Sequence, residues 1–174
     1  MHNRRTTTAI LTVGMLCAAL AGCSGSDGEV TYSAPPADPL PLGVTWEWTG
    51  TLADGAKATG TTTVLSYEQH EPAGAASANA RYDQVNVQVC SESGAPVPVD
   101  RQFFGLRRQE GDVDGKSLPA VDPGTAYAPE SVTLKPGECA QGTIEFPGAA
   151  GSRPLAAVWR PTGAAEAASW AIPR

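Results

Sequence analysis

The sequence predicts an all-β fold, an antiparallel β-sandwich, on three observations. Short runs in which apolar and polar residues alternate recur along the chain, the period of a strand with one buried face. Those runs are rich in Val, Thr and Trp, residues that suit a pleated surface. The chain also carries 19 glycines and 15 prolines in 174 residues, spread so evenly that long uninterrupted helices are not expected.

Taken in order, the chain divides into three parts. Residues 1–22 read as a signal peptide: Arg4 and Arg5 form a basic head, and a mostly apolar run follows from Ala9 to Leu20. That run is about a dozen residues, the length of a signal core and short of the roughly 20 a membrane-spanning helix needs. It ends in Leu20-Ala21-Gly22-Cys23, which resembles the lipobox of bacterial lipoproteins. The resemblance implies that Cys23 receives a diacylglyceryl group and becomes the first residue of the mature protein. An ordinary secretory signal with a chance cysteine is the alternative, and Arg4-Arg5 leaves export by the general or the twin-arginine route open. An address on the outer face of the cell membrane is expected, with the membrane itself as a partner through the lipid. Two or more acyl chains hold stably where one binds only marginally.

Residues 23–42 contain Gly and Ser first and then Pro35, Pro36, Pro39 and Pro41, and read as a linker, flexible near the lipid and stiffer towards the domain. Residues 43–174 read as the sandwich. In "VTWEWTG" Val44, Trp46 and Trp48 share one face. "TTTVLSYEQ" is β-branched. In "RYDQVNVQVC" Val85, Val87 and Val89 oppose Gln84, Asn86, Gln88 and Cys90. "QFFGLRRQ", "SVTL", "ECAQGTIEF", "LAAVWRP" and "SWAIPR" follow, separated by turn residues that include Asp114-Gly115 and Pro136-Gly137. "PTGAAEAAS" has room for a helical turn and nothing longer.

Composition removes several function classes. With residues 1–22 gone, ten basic and eighteen acidic residues remain, a net charge of about −8 that disfavours nucleic acid and anionic lipid surfaces. Both methionines and His2 lie in the signal, so the mature chain keeps His70 alone. That excludes a Met/His copper chaperone and a zinc site with several histidines, and any Ser-His-Asp triad would have to use His70.

With Cys17 discarded and Cys23 lipidated, Cys90 and Cys139 are the remaining pair, expected to be bridged outside the cytoplasm. Both fall in the polar phase of their strands, so the bridge should lie outside one sheet or at a strand end rather than cross the core.

"VNVQVCSESG", "LKPGECAQGTIEF", "LAAVWRP" and the final "SWAI" resemble a family of small bacterial immunoglobulin-like lipoproteins of unknown function, common in actinobacteria and other Gram-positive bacteria. The fold is similar to that of the mycobacterial secreted immunoprotective antigens. The resemblance spans roughly residues 43–172, with Leu134 to Phe146 its most specific part. It implies an immunoglobulin-like architecture, an envelope address and a binding role. It supplies no catalytic residues.

The candidate sites are few. "RQFFGLRRQ" places Phe104 and Leu106 in phase with Gln102 and Arg108, facing the core. Phe103 then falls in phase with Arg101 and Arg107 as a possible outer recognition patch, since Arg and aromatics anchor interfaces. The bland reading covers Phe103 with a loop. "EGDVDGK" offers Glu110, Asp112 and Asp114 as calcium ligands, but position twelve is Val121 and not the bidentate Glu. A hairpin on Asp114-Gly115 explains the same residues. Glu68, His70 and Glu71 could hold a metal or, for Glu68 with a second acid, imitate a glycosidase pair. A polar strand end is the simpler account. Trp46, Trp48, Trp159 and Trp170 could line a sugar-binding face, although their alternation fits core packing. No cofactor is expected. The expectation is a non-catalytic binding module for an envelope or extracellular protein; a surface protein with no dedicated ligand and a carboxylate-dependent hydrolase are the alternatives.

Overall fold

The computed structural model describes residues 30–71, 80–108, 131–149 and 152–174. The signal peptide, Cys23 and the calcium candidates Glu110, Asp112 and Asp114 lie outside the described residues. The strands are β1 (Thr31–Tyr32), β2 (Leu40–Pro41), β3 (Thr45–Thr51), β4 (Lys57–His70), β5 (Ala80–Gly94), β6 (Val97–Asp100), β7 (Phe104–Arg107), β8 (Ser131–Leu134), β9 (Cys139–Ala149), β10 (Ala156–Trp159) and β11 (Ala168–Ala171). They form a five-stranded sheet in the order β1-β3-β4-β5-β9, a four-stranded sheet β2-β11-β10-β7 and a ribbon β6-β8. The fold is thus an all-β sandwich, antiparallel except where β2 runs parallel to β11. The 161–167 segment forms turns rather than a helical turn.

Alternation builds the five-stranded sheet. Along β3, Trp46 and Trp48 are buried while Thr45, Glu47 and Thr49 are exposed. Along β5, Val85, Val87 and Val89 point inwards. All four tryptophans are core residues. Trp159 of the four-stranded sheet is the hub between the sheets: the rings of Tyr32 and Trp46 meet it edge-on at 5.4 and 5.5 Å, the preferred aromatic geometry. Trp48 donates its indole N–H to Thr62 Oγ1 at 3.1 Å, and Trp170 donates to the Val44 carbonyl at 2.7 Å. A Cβ at Gly60 would overlap the Trp48 indole and the Cys90 carbonyl oxygen; only a glycine leaves room for the indole against β4.

The sandwich begins earlier than the expected boundary at residue 43. Val30 and Tyr32 are buried, β1 pairs with β3 and β2 with β11. Residues 30–42 therefore cross from the edge of one sheet to the edge of the other, and belong to the fold rather than to the linker. Pro41 is tolerated because β2 is an edge strand. The alternation Val30-Thr31-Tyr32 carried this signal, and the flanking prolines masked it.

Two further local expectations are corrected. Val44 does not share the buried face of Trp46 and Trp48; it precedes β3 and is 41% exposed. Residues Arg101–Phe103 form a 3-10 turn and not a strand, because the Asp100 side chain accepts the Gln102 N–H at 2.8 Å and caps it, a typical N-cap role.

Candidate functional site

One bulge decides what the loop end of the five-stranded sheet presents. The β4–β5 register shifts between Val64 and Ser66, which pushes Leu65 to the surface. An extra residue reverses the phase of everything after it. Tyr67 and Gln69 consequently turn inwards opposite Val85 and Asp83, and Glu68 and His70 turn outwards opposite Gln84 and Tyr82.

The inward set is a closed polar network around Asp83, which is completely buried. Asp83 Oδ1 accepts from Tyr67 Oη at 2.6 Å and Gln69 Nε2 at 2.8 Å. Its Oδ2 accepts from Arg108 Nη2 at 2.7 Å. The same Arg108 nitrogen donates to the Pro147 carbonyl at 2.8 Å, and Gln69 also reaches the Ser152 carbonyl at 3.2 Å. Arg153 lies over the Tyr67 ring, 4.9 Å from its centroid, within cation–π range. Burial, and then the hydrogen bond and negative charge of Asp83, push the Tyr67 hydroxyl well above the usual tyrosine range; burial does the same to Tyr32. Arg108 follows β7 and Asp83 lies on β5, so the pair latches the two sheets together. A buried carboxylate must be paired and hydrogen-bonded, and this one has donors on both oxygens. Its role is structural. Both residues stood in inward phase in the sequence, Asp83 with the β5 valines and Arg108 with Phe104 and Leu106. Two opposite charges in core phase were the signal of the pair.

The outward set is a polar surface in cross-strand rows: Glu68–Gln84–Glu145, Ser66–Asn86–Thr143, Thr63–Gln88–Gln141 and Thr61–Cys90–Cys139. Gln88 Nε2 donates to Gln141 Oε1 at 3.1 Å, and the Thr45 and Thr63 hydroxyls are 2.9 Å apart. At its loop end His70 Nε2 lies 3.5 Å from Glu145 Oε1 and its ring meets Tyr82 edge-on at 5.7 Å. Glu71 instead pairs with Arg81 at 2.6 Å. The structure therefore separates Glu71 from His70 and supplies Glu145, which the sequence reading missed because it comes from a strand two positions away in the sheet. Among the described residues no group of three or more His, Cys, Asp or Glu side chains is placed to hold a metal.

Cys90 and Cys139 are bonded, 49 residues apart in sequence and directly opposite each other on β5 and β9. The bridge lies on the outward face, as the strand phases required. The patch of Arg101, Phe103 and Arg107 has a different geometry from the one expected. Phe103 lies in the 3-10 turn, half-buried and packed against the core, and only Arg107 belongs to a strand.

The four-stranded sheet offers no comparable face. Every residue of β10 is buried, as are Phe104, Gly105 and Leu106 of β7 and Ala168, Ser169 and Trp170 of β11. No protein-family model matches the chain, no curated protein is significantly similar to it, and no solved structure matches it.

Proposed function

We propose that the protein is a non-catalytic binding module of the cell envelope. In this reading a lipid on Cys23 tethers it to the outer face of the membrane, and it engages an envelope or extracellular protein through the outward face of the five-stranded sheet. The observation that carries the reading is the asymmetry of the two sheets: the four-stranded one is buried on both faces along β10 and most of β7 and β11, whereas the five-stranded one turns a broad polar face outwards. Hydroxyls and amides arranged in rows give adaptable hydrogen bonding to a partner without a large desolvation cost. The lipobox, the disulfide and the resemblance to small immunoglobulin-like lipoproteins support the address.

Crosslinking in intact cells followed by mass spectrometry tests the binding role. A crosslinked partner should be captured by the wild type and lost from a Gln88→Arg/Gln141→Arg variant of unchanged melting temperature. Capture that survives this variant moves binding elsewhere, and Arg107→Ala then examines the expected patch. Absence of any crosslinked protein from the wild type favours a surface protein with no dedicated partner. Mass spectrometry of the membrane fraction tests the anchor: a mature N-terminus other than Cys23, or an unmodified Cys23, overturns it.

A further inference from the structure

We infer that the Cys90–Cys139 bridge is a redox-exchange site, reducible in the folded protein by a dithiol protein of the envelope. Three observations place it in that class. First, the bridge is outside the core: Cys139 is exposed and Cys90 half-buried, while their neighbours Val89 and Ala140 point the other way. Exposed disulfides are the labile and regulatory ones, in contrast to buried structural bridges. Second, the neighbours of the bridge on this face are Thr61, Gln88 and Gln141, short or flexible polar side chains that can move aside for an incoming thiolate, while the carboxylates on the same side are those of Glu47, beyond Thr61 in the cross-strand row, and Glu138, next to Cys139 in sequence.

Third, the strands that carry the cysteines are held on both sides of the bridge without it. On one side the β5–β9 ladder continues through Val89 and Ala140 to Ala80 and Ala149. On the other, Ser91 N–H donates to the Glu138 carbonyl at 2.9 Å and Gly137 N–H donates to the Ser91 carbonyl at 2.7 Å. The Pro136-Gly137 turn is closed by Glu138 N–H on the Lys135 carbonyl at 2.9 Å, with Gly137 at φ 87°, where glycine carries no steric cost. Breaking the sulfur–sulfur bond therefore leaves the pairing in place and two thiols on the outward face.

The exchange balances as an ordinary thiol–disulfide reaction. The partner's thiolate attacks Cys139 Sγ, on the more exposed of the two residues, forming a mixed disulfide and releasing Cys90 as thiolate, which takes up a proton. The partner's second thiolate then attacks its own sulfur of the mixed disulfide and releases Cys139. The bridge gains two electrons and two protons, and the partner dithiol becomes a disulfide.

The test uses the full chain in detergent, without denaturant, with a Cys-X-X-Cys dithiol protein as the reductant, followed by alkylation and mass measurement. Two alkyl groups should appear on Cys90 and Cys139, at a rate that doubles with each doubling of the dithiol protein. The reduced protein should keep its near-ultraviolet tryptophan signal. A reductant lacking its second cysteine should be trapped on Cys139. Reduction that requires urea, a rate independent of the dithiol concentration, or loss of the tryptophan signal on reduction overturns the inference. Trapping on Cys90 overturns the assignment of the attacked sulfur.

Discussion

The two main sheets are built from the same kinds of residue and solve opposite problems. The five-stranded sheet is a boundary between core and solvent, so β3 and β5 alternate and their outward positions are mostly Thr, Gln, Asn and Glu, with Tyr82 and Cys90. The four-stranded sheet is buried on both faces along its centre, and β10 (Ala156, Ala157, Val158, Trp159) reads as a continuous apolar run. Near-continuous runs are the mark of a strand with no solvent face. Surface chemistry can accordingly vary on the first sheet at little cost to stability, and hardly at all on the second.

That contrast can be broken at several points. The largest effect should come from the hub between the sheets: Trp159→Ala removes the ring that Tyr32, Trp46, Trp48 and Phe104 surround, at a cost of about 3–5 kcal/mol measurable by urea denaturation. Trp159→Phe should be milder than Trp48→Phe, because Trp159 Nε1 has no hydrogen-bond partner among the described residues whereas Trp48 would leave Thr62 without its donor.

Breaking the latch should come next. Arg108→Leu leaves the buried Asp83 carboxylate uncompensated, a loss of about 3 kcal/mol. The double variant Asp83→Leu/Arg108→Leu should be more stable than Arg108→Leu alone, since no buried charge then remains. If the single and double variants were equally unstable, the latch would contribute through packing only.

Smaller effects should follow the faces. Val158→Thr inserts a hydroxyl where the second sheet is buried and should cost about 1–2 kcal/mol. Thr143→Val, on the outward face of the first sheet, should stay within about 0.5 kcal/mol. Comparable losses at the two positions would remove the distinction between the sheets.

Alkaline pH gives a further handle. Tyr32 and Tyr67 have hydroxyls raised above the usual tyrosine range, so above a pH of about 10 the unfolded chain releases these protons while the folded chain retains them. Their contribution is complete below that pH and lost as pH rises through the folded values. The melting temperature should fall above pH 10, and Tyr67→Phe should fall less steeply.

Much of this was legible in advance where one face meets water. The strands around Trp46, Trp48, Val85, Val87 and Val89, and the outward phase of Cys90 and Cys139, follow from period-two alternation alone. The misreadings share a cause, a local interruption of that period. The residue before β3 left the alternation, which put Val44 outside the face of Trp46 and Trp48, and the Asp100 cap converted the start of "RQFF" into a turn, which carried Phe103 from the expected outer face towards the core. The prolines of residues 35–41 hid two edge strands, because proline signals a linker and an edge strand equally well.

By itself the sequence determined the fold class, the inward tryptophans and valines, and the cysteines available for a bridge, because those depend on residue type and period within a single strand. Tertiary structure alone decided that residues 30–42 belong to the sandwich, that Asp83 meets Arg108, that Glu145 comes beside His70, and that one sheet keeps an open polar face while the other keeps none. Each of these depends on which strands become neighbours, and strand order is set by how the whole core packs rather than by any local run of residues.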